Sequence, residues 1–251
     1  MIYEFKPEEQ QRKDREQLSL WQRVDRETYF HNLQLINKLV GVDTYEKVNE
    51  ADRELSGLRY IELQKNPIKG NYDFEHLKAI HKYLFQDIYY FAGNPRDVDM
   101  EIDSITRFTS ARRIEVEAKR IFTELGEKHN LIGLNKSEFC DNLASFMTDL
   151  NKLHPFREGN GRSKRAFVDQ LAGNVGWSIN WNDVSNSDWK YADECAFDSA
   201  RDYGKPDLTY LKYNLDRAVV PVNTNSKPQV QRMSIDEFLS EMNDESGYEM
   251  D

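Results

Sequence analysis

The sequence predicts an all-α protein with one short extended segment. Apolar residues recur at three- and four-residue spacing along most of the chain, and only residues 97–103 alternate polar and apolar side chains. The 251 residues, 39% of them hydrophobic, suffice for one large domain with appendages. We therefore expect a helical core at 55–221, an N-terminal helical extension (1–54) that packs on it, and a polar tail (222–251) that is mostly disordered or forms a short helix.

The first predicted helix of the core is followed by a turn and then by the extended segment. Its apolar stripe comprises Phe74, Leu77, Ile80, Leu84, Ile88 and Phe91. The stripe ends before Gly93 and Pro95, which are typical of a helix C-terminus. The alternation over 97–103 predicts a half-exposed strand or hairpin arm, whose edge could pair with a strand of another protein.

Two predicted helices in the middle of the chain enclose a tight loop. The first begins after Ser137, its expected N-cap, and must end at His154, because the residue before a proline is unfavourable in the α conformation. The second begins within Gly159–Arg165. The remaining predicted helices cover Ser110–Leu125, Ser187–Ala200 and Asp207–Ala218.

Charge and composition exclude several classes of function. The net charge of −10 and the isoelectric point near 5.1 argue against a nucleic-acid-binding surface, which needs clustered Lys and Arg. Neither a signal peptide nor an apolar run that could span a bilayer is found, so we expect no membrane partner and a cytoplasmic protein, with export as an effector left open. Cys140 and Cys195 lie too far apart in sequence to suggest a zinc motif.

Residues 154–165, HPFREGNGRSKR, combine phosphate-binding groups with a proton acceptor. The backbone N–H groups of Gly159 to Gly161 precede a helix, where they are unpaired and the helix dipole is positive, so they can bind an anion. Arg162 and Arg165 are three residues apart, on one helix face, and each guanidinium presents a planar fork of donors to phosphate oxygens. Two arginines suggest more than one phosphate group.

Three further residues of this loop have predicted roles. Glu158 offers a carboxylate oxygen through which Mg²⁺ could be bridged to the phosphates. His154, with an ordinary pKa near 6.5, can accept a proton from a hydroxyl at neutral pH. Phe156 is expected to point into the core and hold the loop. Each feature alone has a common structural explanation, but their occurrence within one loop favours a catalytic site.

The loop also matches the signature H-x-F-x-[D/E]-G-N-G-R-x-x-R and thereby resembles the Fic family. The segment HLKAIHKYLFQDIYYFAGNPR, residues 76–96, is similar to the helix upstream of that motif, and the resemblance extends over Leu55 to Val220. It implies a Fic fold, a helical bundle with a short β-hairpin flap before the catalytic loop. The flap falls at Val98 to Phe108 and binds a segment of the target protein by strand addition.

The resemblance also implies roles for the loop residues. His154 is the general base, Glu158 the Mg²⁺ ligand, and Arg165 the ligand of the γ-phosphate of ATP. The nucleotide-binding set comprises Phe156, Arg157, Glu158, Gly159, Asn160, Gly161, Arg162 and Arg165. Doc-type relatives, which phosphorylate their targets, carry Lys at the position of Gly161, so the sequence favours AMP transfer to a Ser, Thr or Tyr hydroxyl. Transfer of UMP, phosphocholine or phosphate, and a non-catalytic nucleotide-binding or adaptor module, remain the alternatives.

Many Fic proteins are inhibited by a helix with the pattern [S/T]-x-x-x-E-[G/N], whose glutamate pairs with the second motif arginine. The chain contains no full match, since Ser240 is followed at the required spacing by Asp244. One hypothesis is therefore a toxin-like protein restrained by a separate small antitoxin that supplies this glutamate to Arg165. The other is a degenerate inhibitory helix in the same chain, at Ser240 to Glu245.

Overall fold

The computed structural model describes residues 2–19, 37–100 and 108–222. Within these ranges the chain forms eight α-helices and two short strands. The elements are α1 (Glu8–Ser19), α2 (Tyr45–Lys65), α3 (Phe74–Phe85), α4 (Ile114–Glu127), α5 (Lys136–Leu153), α6 (Asn160–Asn174), β1 (Trp177–Ile179), α7 (Asn186–Tyr203), α8 (Thr209–Ala218) and β2 (Val219–Pro221). The predicted all-α class is confirmed.

The core lies where α3, α4, α5 and α6 meet. The ring of Phe167 on α6 is fully buried and contacts the rings of Phe122 on α4 and Phe146 on α5 at centroid distances of 5.6 and 5.8 Å. Burial of a phenylalanine of this kind contributes about 1.5–3 kcal/mol relative to an exposed one. The aromatic cluster therefore holds α5 and α6, and the loop between them, in one rigid unit.

The helix predicted from Phe74 to Phe91 is shorter in the structure and ends at Phe85. Residues 86–93 form turns, yet Ile88 and Phe91 are buried as the apolar stripe predicts. The backbone N–H of Lys38 donates to Ile88 O at 2.8 Å, and Asn37 forms an isolated antiparallel bridge with Tyr89. This segment therefore uses its backbone groups for pairing with residues 37–38 instead of continuing the helix.

The helix that leads into the loop, α5, begins one residue before the predicted N-cap. Asn135 is the N-cap, and it forms a capping box in which Glu138 N–H donates to the Asn135 side chain while the Glu138 carboxylate accepts from Asn135 N–H. Ser137 lies inside the first turn, so its assignment as N-cap is wrong. The predicted end is confirmed, with His154 as the C-cap.

The predicted flap lies only partly within the described residues. Asp97 and Asp99 are exposed and Val98 is buried, which agrees with the alternation, and Phe108 N–H donates to Met100 O at 3.2 Å. Residues 101–107 lie outside the described part of the chain. The strands β1 and β2 pair antiparallel through Trp177–Pro221, Ser178–Val220 and Ile179–Val219; they follow the loop in sequence and are not the flap.

One of the predicted domain boundaries falls inside a continuous helix. The single helix α2, Tyr45–Lys65, runs through the boundary placed between residues 54 and 55. Its residues contact α6 directly, since Tyr60 OH donates to the Asp169 carboxylate at 2.6 Å. The tail predicted at 222–251, including Ser240 to Glu245, lies outside the described residues after 222.

Candidate active site

The loop between α5 and α6 is shaped by two residues with left-handed backbones. His154 at the end of α5 has φ 41°, and Gly159 before α6 has φ 76°. A Cβ atom on Gly159 would lie 2.2 Å from Cζ of Phe85, a distance that real Cβ contacts do not reach. Glycine is therefore required at position 159 both by its backbone conformation and by the packing of Phe85 against it.

Asn160 closes the loop with its side chain. Phe156 N–H donates to Asn160 Oδ1 at 2.9 Å, and Asn160 Nδ2 donates back to Phe156 O at 2.8 Å. Gly159 is the N-cap of α6 and has a left-handed backbone, and Asn160 is the first residue of the helix. Gly161 and Arg162 follow in the first turn, where backbone N–H groups lack partners within the helix and favour an anion.

The loop is held from the core side by Phe156 and His81. Phe156 is fully buried, and its ring stacks on His81 at a centroid distance of 3.7 Å. Gly93 N–H donates to His81 Nδ1 at 2.8 Å, so Nε2 carries the proton and donates to Glu158 O at 2.9 Å. Burial lowers the pKa of His81 to about 3, and this neutral form suits both bonds. The side chain of Phe156 thus shapes the loop from the core.

The predicted base, His154, lies under an aromatic ring. Phe108 stacks on the imidazole at a centroid distance of 3.8 Å and an interplanar angle of 16°. Burial, followed by the positive charges of Arg96 and Lys164, lowers the pKa of His154 to about 3. The imidazole is therefore neutral at physiological pH and able to accept a proton. A bound polyphosphate would raise this pKa, because negative charge favours the imidazolium.

Arg96 joins the backbone of the base to both stems of the predicted flap. This guanidinium is almost fully buried, and its Nε donates to His154 O at 2.8 Å. Nη1 donates to Val98 O at 2.7 Å, and Nη2 donates to Thr109 O. Burial lowers the pKa of Arg96 to about 10, which leaves it charged at neutral pH. The backbone of the predicted base and the two segments that flank the predicted flap are therefore held by one side chain.

Arg162 forms a buried ion pair with a residue of α2. Its Nη1 and Nη2 donate to the two carboxylate oxygens of Asp52, each at 2.8 Å, and Nη1 also donates to Ser56 Oγ at 2.8 Å. Nη2 lies 3.4 Å from Glu158 Oε1. The first motif arginine is thus oriented by residues that the sequence did not single out.

Arg165 lies one helical turn further along α6, beside α7 and the β1–α7 connection. Its guanidinium lies 5.0 Å from the centroid of the Trp181 ring, and Nη2 is 3.4 Å from Asn186 Oδ1. Beneath it, the carboxylate of Asp169 accepts from Tyr60 OH at 2.6 Å and from Trp181 Nε1 at 2.8 Å. Burial raises the pKa of Asp169 to about 6, although both hydrogen bonds and the charge of Arg165 act in the opposite direction.

The remaining predicted loop residues, Arg157 and Glu158, contact different parts of the structure. Arg157 is buried and forms an ion pair with Asp97 at the flap stem. Glu158 Oε1 accepts from Gly159 N–H at 2.9 Å. Among the described residues no group of three or more His, Cys, Asp or Glu side chains could hold a metal. One carboxylate fits Mg²⁺ nonetheless, since this ion is usually bound by one or two carboxylates together with substrate phosphates.

The arrangement brings a neutral imidazole, an anion-binding helix terminus and two arginines into one short connection. The predicted residues His154, Glu158, Gly159, Arg162 and Arg165 all belong to it. The supporting residues His81, Arg96, Asp52 and Asp169 were not predicted. Such a site can bind a polyphosphate and remove a proton from an incoming hydroxyl.

Comparisons with known proteins agree with this geometry. The family model described as Fic/DOC family matches residues 71–172. The chain is 32% identical over 170 residues to a Salmonella typhimurium protein named "Probable protein adenylyltransferase Fic", and the match covers 67% of this chain and 84% of that one. It is 36% identical to the protein adenylyltransferase VbhT of Bartonella schoenbuchensis, covering 68% of this chain but only 34% of that longer protein.

Two solved structures are similar in fold. The Bartonella tribocorum effector BepC with bound AMPPNP has a TM-score of 0.64 at 25% identity, covering 74% of this chain and 92% of that one. The N-terminal Fic domain of a Bartonella quintana VirB-translocated effector with bound ADP has a TM-score of 0.64 at 26% identity, covering 74% and 90%. In the described ranges of our chain, no helix is long and apolar enough to cross a membrane. The motif loop, the helical fold and these matches together place the chain in the Fic/DOC family.

Proposed function

We propose that this chain is a protein adenylyltransferase, which transfers AMP from ATP to a hydroxyl side chain of another protein. The observation that supports this most strongly is the short connection in which the neutral His154 precedes the anion-binding start of α6. The relatives named as protein adenylyltransferases and the nucleotides bound in the similar structures support the same activity.

The reaction is a displacement at the α-phosphorus of ATP. The target hydroxyl oxygen attacks this phosphorus while His154 accepts its proton, the bond to the oxygen that bridges the α- and β-phosphates breaks, and pyrophosphate leaves. The N–H groups at the start of α6, with Arg162 and Arg165, bind the phosphates and stabilise the charge that develops on them. Mg²⁺ held by Glu158 would neutralise part of that charge.

The target protein is proposed to bind along the flap, Val98 to Phe108, by adding a strand. The exposed side chains of Asp97 and Asp99 lie at the first stem, and the hydrogen bond from Phe108 N–H to Met100 O is that of two chain segments running side by side. Arg96 donates to carbonyls of both stems and of His154, so a segment bound there would lie next to the base. No nucleic acid and no membrane is proposed as a partner, and the proposed location is the cytoplasm.

Restraint by a separate antitoxin that supplies a glutamate to Arg165 is part of the proposal. Arg165, whose guanidinium lies 5.0 Å from the centroid of the Trp181 ring, is the proposed ligand of the γ-phosphate, so a carboxylate added beside it would compete with ATP. The competing hypothesis places the inhibitory helix at Ser240 to Glu245 of the same chain. Deleting the tail after Val222 separates them. Unchanged transfer is expected for restraint in trans, and a large rise would contradict it.

The function is tested with ATP labelled in the α- or the γ-phosphate, Mg²⁺ and a lysate of the source cells. We expect transfer of the α-label, but not of the γ-label, to a protein band, and loss of that band with His154→Ala. His129→Ala, which removes an exposed histidine, is the matched control and should transfer normally. Transfer of the γ-label would indicate phosphorylation instead.

Competition experiments distinguish the remaining donors. Unlabelled UTP or CDP-choline should not reduce α-label transfer from ATP when present at equal concentration. Strong competition by either would favour transfer of UMP or phosphocholine. Binding of ATP without transfer of any label, also after deletion of the tail, would favour a non-catalytic nucleotide-binding module.

A further inference from the structure

The ion pair between Asp52 and Arg162 joins two helices that are far apart in sequence. Asp52 lies on α2 and is 2% exposed, and Arg162 lies on α6, 110 positions later, and is 7% exposed. Both carboxylate oxygens accept from the guanidinium, Oδ1 from Nη1 and Oδ2 from Nη2, at 2.8 Å each. A bidentate pair of this kind determines the plane of the guanidinium as well as its position.

Three more side chains hold the same pair. Ser56, one turn after Asp52 on α2, accepts from Arg162 Nη1 at 2.8 Å, and Tyr89 OH donates to Asp52 Oδ2 at 3.1 Å. The ring of Phe85 lies 4.7 Å from the guanidinium and also packs against Gly159. The orientation of Arg162 is therefore determined by α2, α3 and the turn after α3.

We propose that Asp52 is a positioning residue of the active site, which fixes the guanidinium of Arg162 beside the anion-binding start of α6. The inference rests on the proposed AMP transfer. It extends the catalytic unit to α2, which the family-model match at residues 71–172 does not include. Arg162 Nη2 also lies 3.4 Å from Glu158 Oε1. By orienting Arg162, Asp52 therefore also helps to position the carboxylate of the proposed Mg²⁺ ligand.

The burial of Asp52 argues against the opposite interpretation, in which the pair keeps Arg162 away from the nucleotide. If Arg162 turned towards a phosphate and left Asp52, a carboxylate that is 2% exposed would remain in the interior without its counter-charge. Arg162 therefore stays on Asp52 while the site works, and the phosphates are bound by an arginine of fixed orientation. If the pair instead kept Arg162 away from the nucleotide, removal of the Asp52 charge would increase the rate of AMP transfer.

The test compares Asp52→Asn with wild type in the full chain, measuring AMP transfer as a function of ATP concentration. Because Arg162 keeps its charge but loses its orientation, we expect kcat to fall on the order of 10- to 100-fold while KM for ATP changes less than about threefold. Asp14→Asn is the matched control, since Asp14 is also buried and paired, with Lys6 at 3.0 Å, but lies on α1. It should leave kcat unchanged.

A double-mutant cycle shows whether Asp52 acts through Arg162. The variant Asp52→Asn/Arg162→Gln should transfer AMP no more slowly than Arg162→Gln alone, because the partner of Asp52 is already removed. Additive losses would overturn the inference. So would a kcat for Asp52→Asn equal to that of the control, or a kcat higher than that of wild type.

A measurement without turnover separates this inference from the proposed function. ¹⁵N relaxation of the Arg162 Nε–H group should report a rigid side chain in wild type and in Asp14→Asn, and a mobile one in Asp52→Asn. If wild type transfers no AMP but the relaxation result holds, the proposed function fails while the positioning by Asp52 stands. An equally rigid Arg162 in Asp52→Asn would refute the positioning role.

Discussion

The two ends of the loop between α5 and α6, which carry the proposed base and the proposed phosphate ligands, are held by different kinds of contact. At the His154 end, an aromatic ring covers the imidazole and Arg96 donates to the backbone carbonyl of the histidine. At the arginine end, Arg162 pairs with the buried carboxylate of Asp52, and Arg165 lies near the buried carboxylate of Asp169. The base end is thus supported by neutral and cationic groups, and the phosphate end by anions.

This difference suits the role that we propose for each end. A base has to be neutral before it accepts a proton, and a carboxylate beside His154 would favour the imidazolium, whereas burial and the charge of Arg96 favour the neutral form. At the other end, the buried guanidinium of Arg162 has the carboxylate of Asp52 as its counter-charge. Removal of the proposed base should therefore slow transfer while ATP binding is retained, whereas removal of an arginine charge should weaken ATP binding.

The largest effect is expected at Gly159, because its backbone conformation determines how both ends of the loop are positioned. Gly159→Ala places a Cβ 2.2 Å from the Phe85 ring at a residue with φ 76°. We expect the free energy of unfolding to fall by about 2–4 kcal/mol and both ATP binding and transfer to be lost. Urea unfolding and ATP titration measure this. Gly173→Ala, in the same helix with nothing within 4 Å of the added Cβ, is the control and should be stabilising by about 0.5–1 kcal/mol. Equal behaviour of the two variants would contradict the close-packing argument.

Arg96→Lys should impair the base end alone. A lysine cannot donate at once to the carbonyls of His154, Val98 and Thr109, so the base and the flap stems lose their common support. Transfer should fall about 30- to 100-fold, with the Kd for ATP within about threefold of wild type. Arg113→Lys, at an exposed ion pair, is the control and should change neither. A large loss of ATP affinity in Arg96→Lys would mean that the two ends are not separable.

The pH dependence of transfer should show whether the Phe108 ring shields the imidazole of His154 from water. Because burial lowers the pKa of His154 to about 3, the acidic limb of kcat/KM in wild type should lie well below pH 6.5. Phe108→Leu opens the imidazole to water, which raises its pKa towards the ordinary value, so the limb should move to higher pH with only a modest loss of rate at pH 8. Phe197→Leu, which removes a ring that contacts Phe108 edge-on, should leave the limb in place. An unshifted limb in Phe108→Leu would exclude His154 as the group observed.

The smallest effect on transfer is expected from Asp169→Asn, which acts on stability. The folded-state pKa of Asp169, about 6, lies above its ordinary value of 3.8. This carboxyl therefore contributes stability that is fully present below about pH 4 and is lost as pH rises through about 6. Relative to Asp169→Asn, the free energy of unfolding of wild type should fall by about 2 kcal/mol between pH 4 and 7, measured by urea unfolding. A difference that is independent of pH would place the pKa of Asp169 near its ordinary value.

The local parts of the site could be predicted from the sequence, because they are contiguous. Two glycines at the start of a helix, two arginines one turn apart and a histidine before a proline can each be interpreted from neighbouring residues alone. The N-cap of α5 could have been predicted as well, since Asn135 is followed three residues later by Glu138, the spacing of a capping box.

The supporting residues could not be predicted in this way, since only tertiary packing brings them to the loop. Arg96 lies 58 positions before His154, and Asp52 lies 110 positions before Arg162. The end of α3 was missed for a similar reason. The apolar spacing correctly marked Ile88 and Phe91 as buried, but pairing with residues 37–38, which no local pattern indicates, ended the helix at Phe85.

The separation of the two ends is tested most directly by comparing ATP binding with AMP transfer in His154→Ala. We predict a Kd for ATP within about twofold of wild type, since the proposed phosphate-binding groups belong to α6, and a transfer rate lower by about 10²- to 10⁴-fold. Arg165→Gln should show the opposite pattern, in which ATP binding is weakened more than the transfer rate is lowered. Retained transfer in His154→Ala would show that His154 is not the base, and a loss of ATP binding as large as the loss of transfer would show that the two ends are not separable.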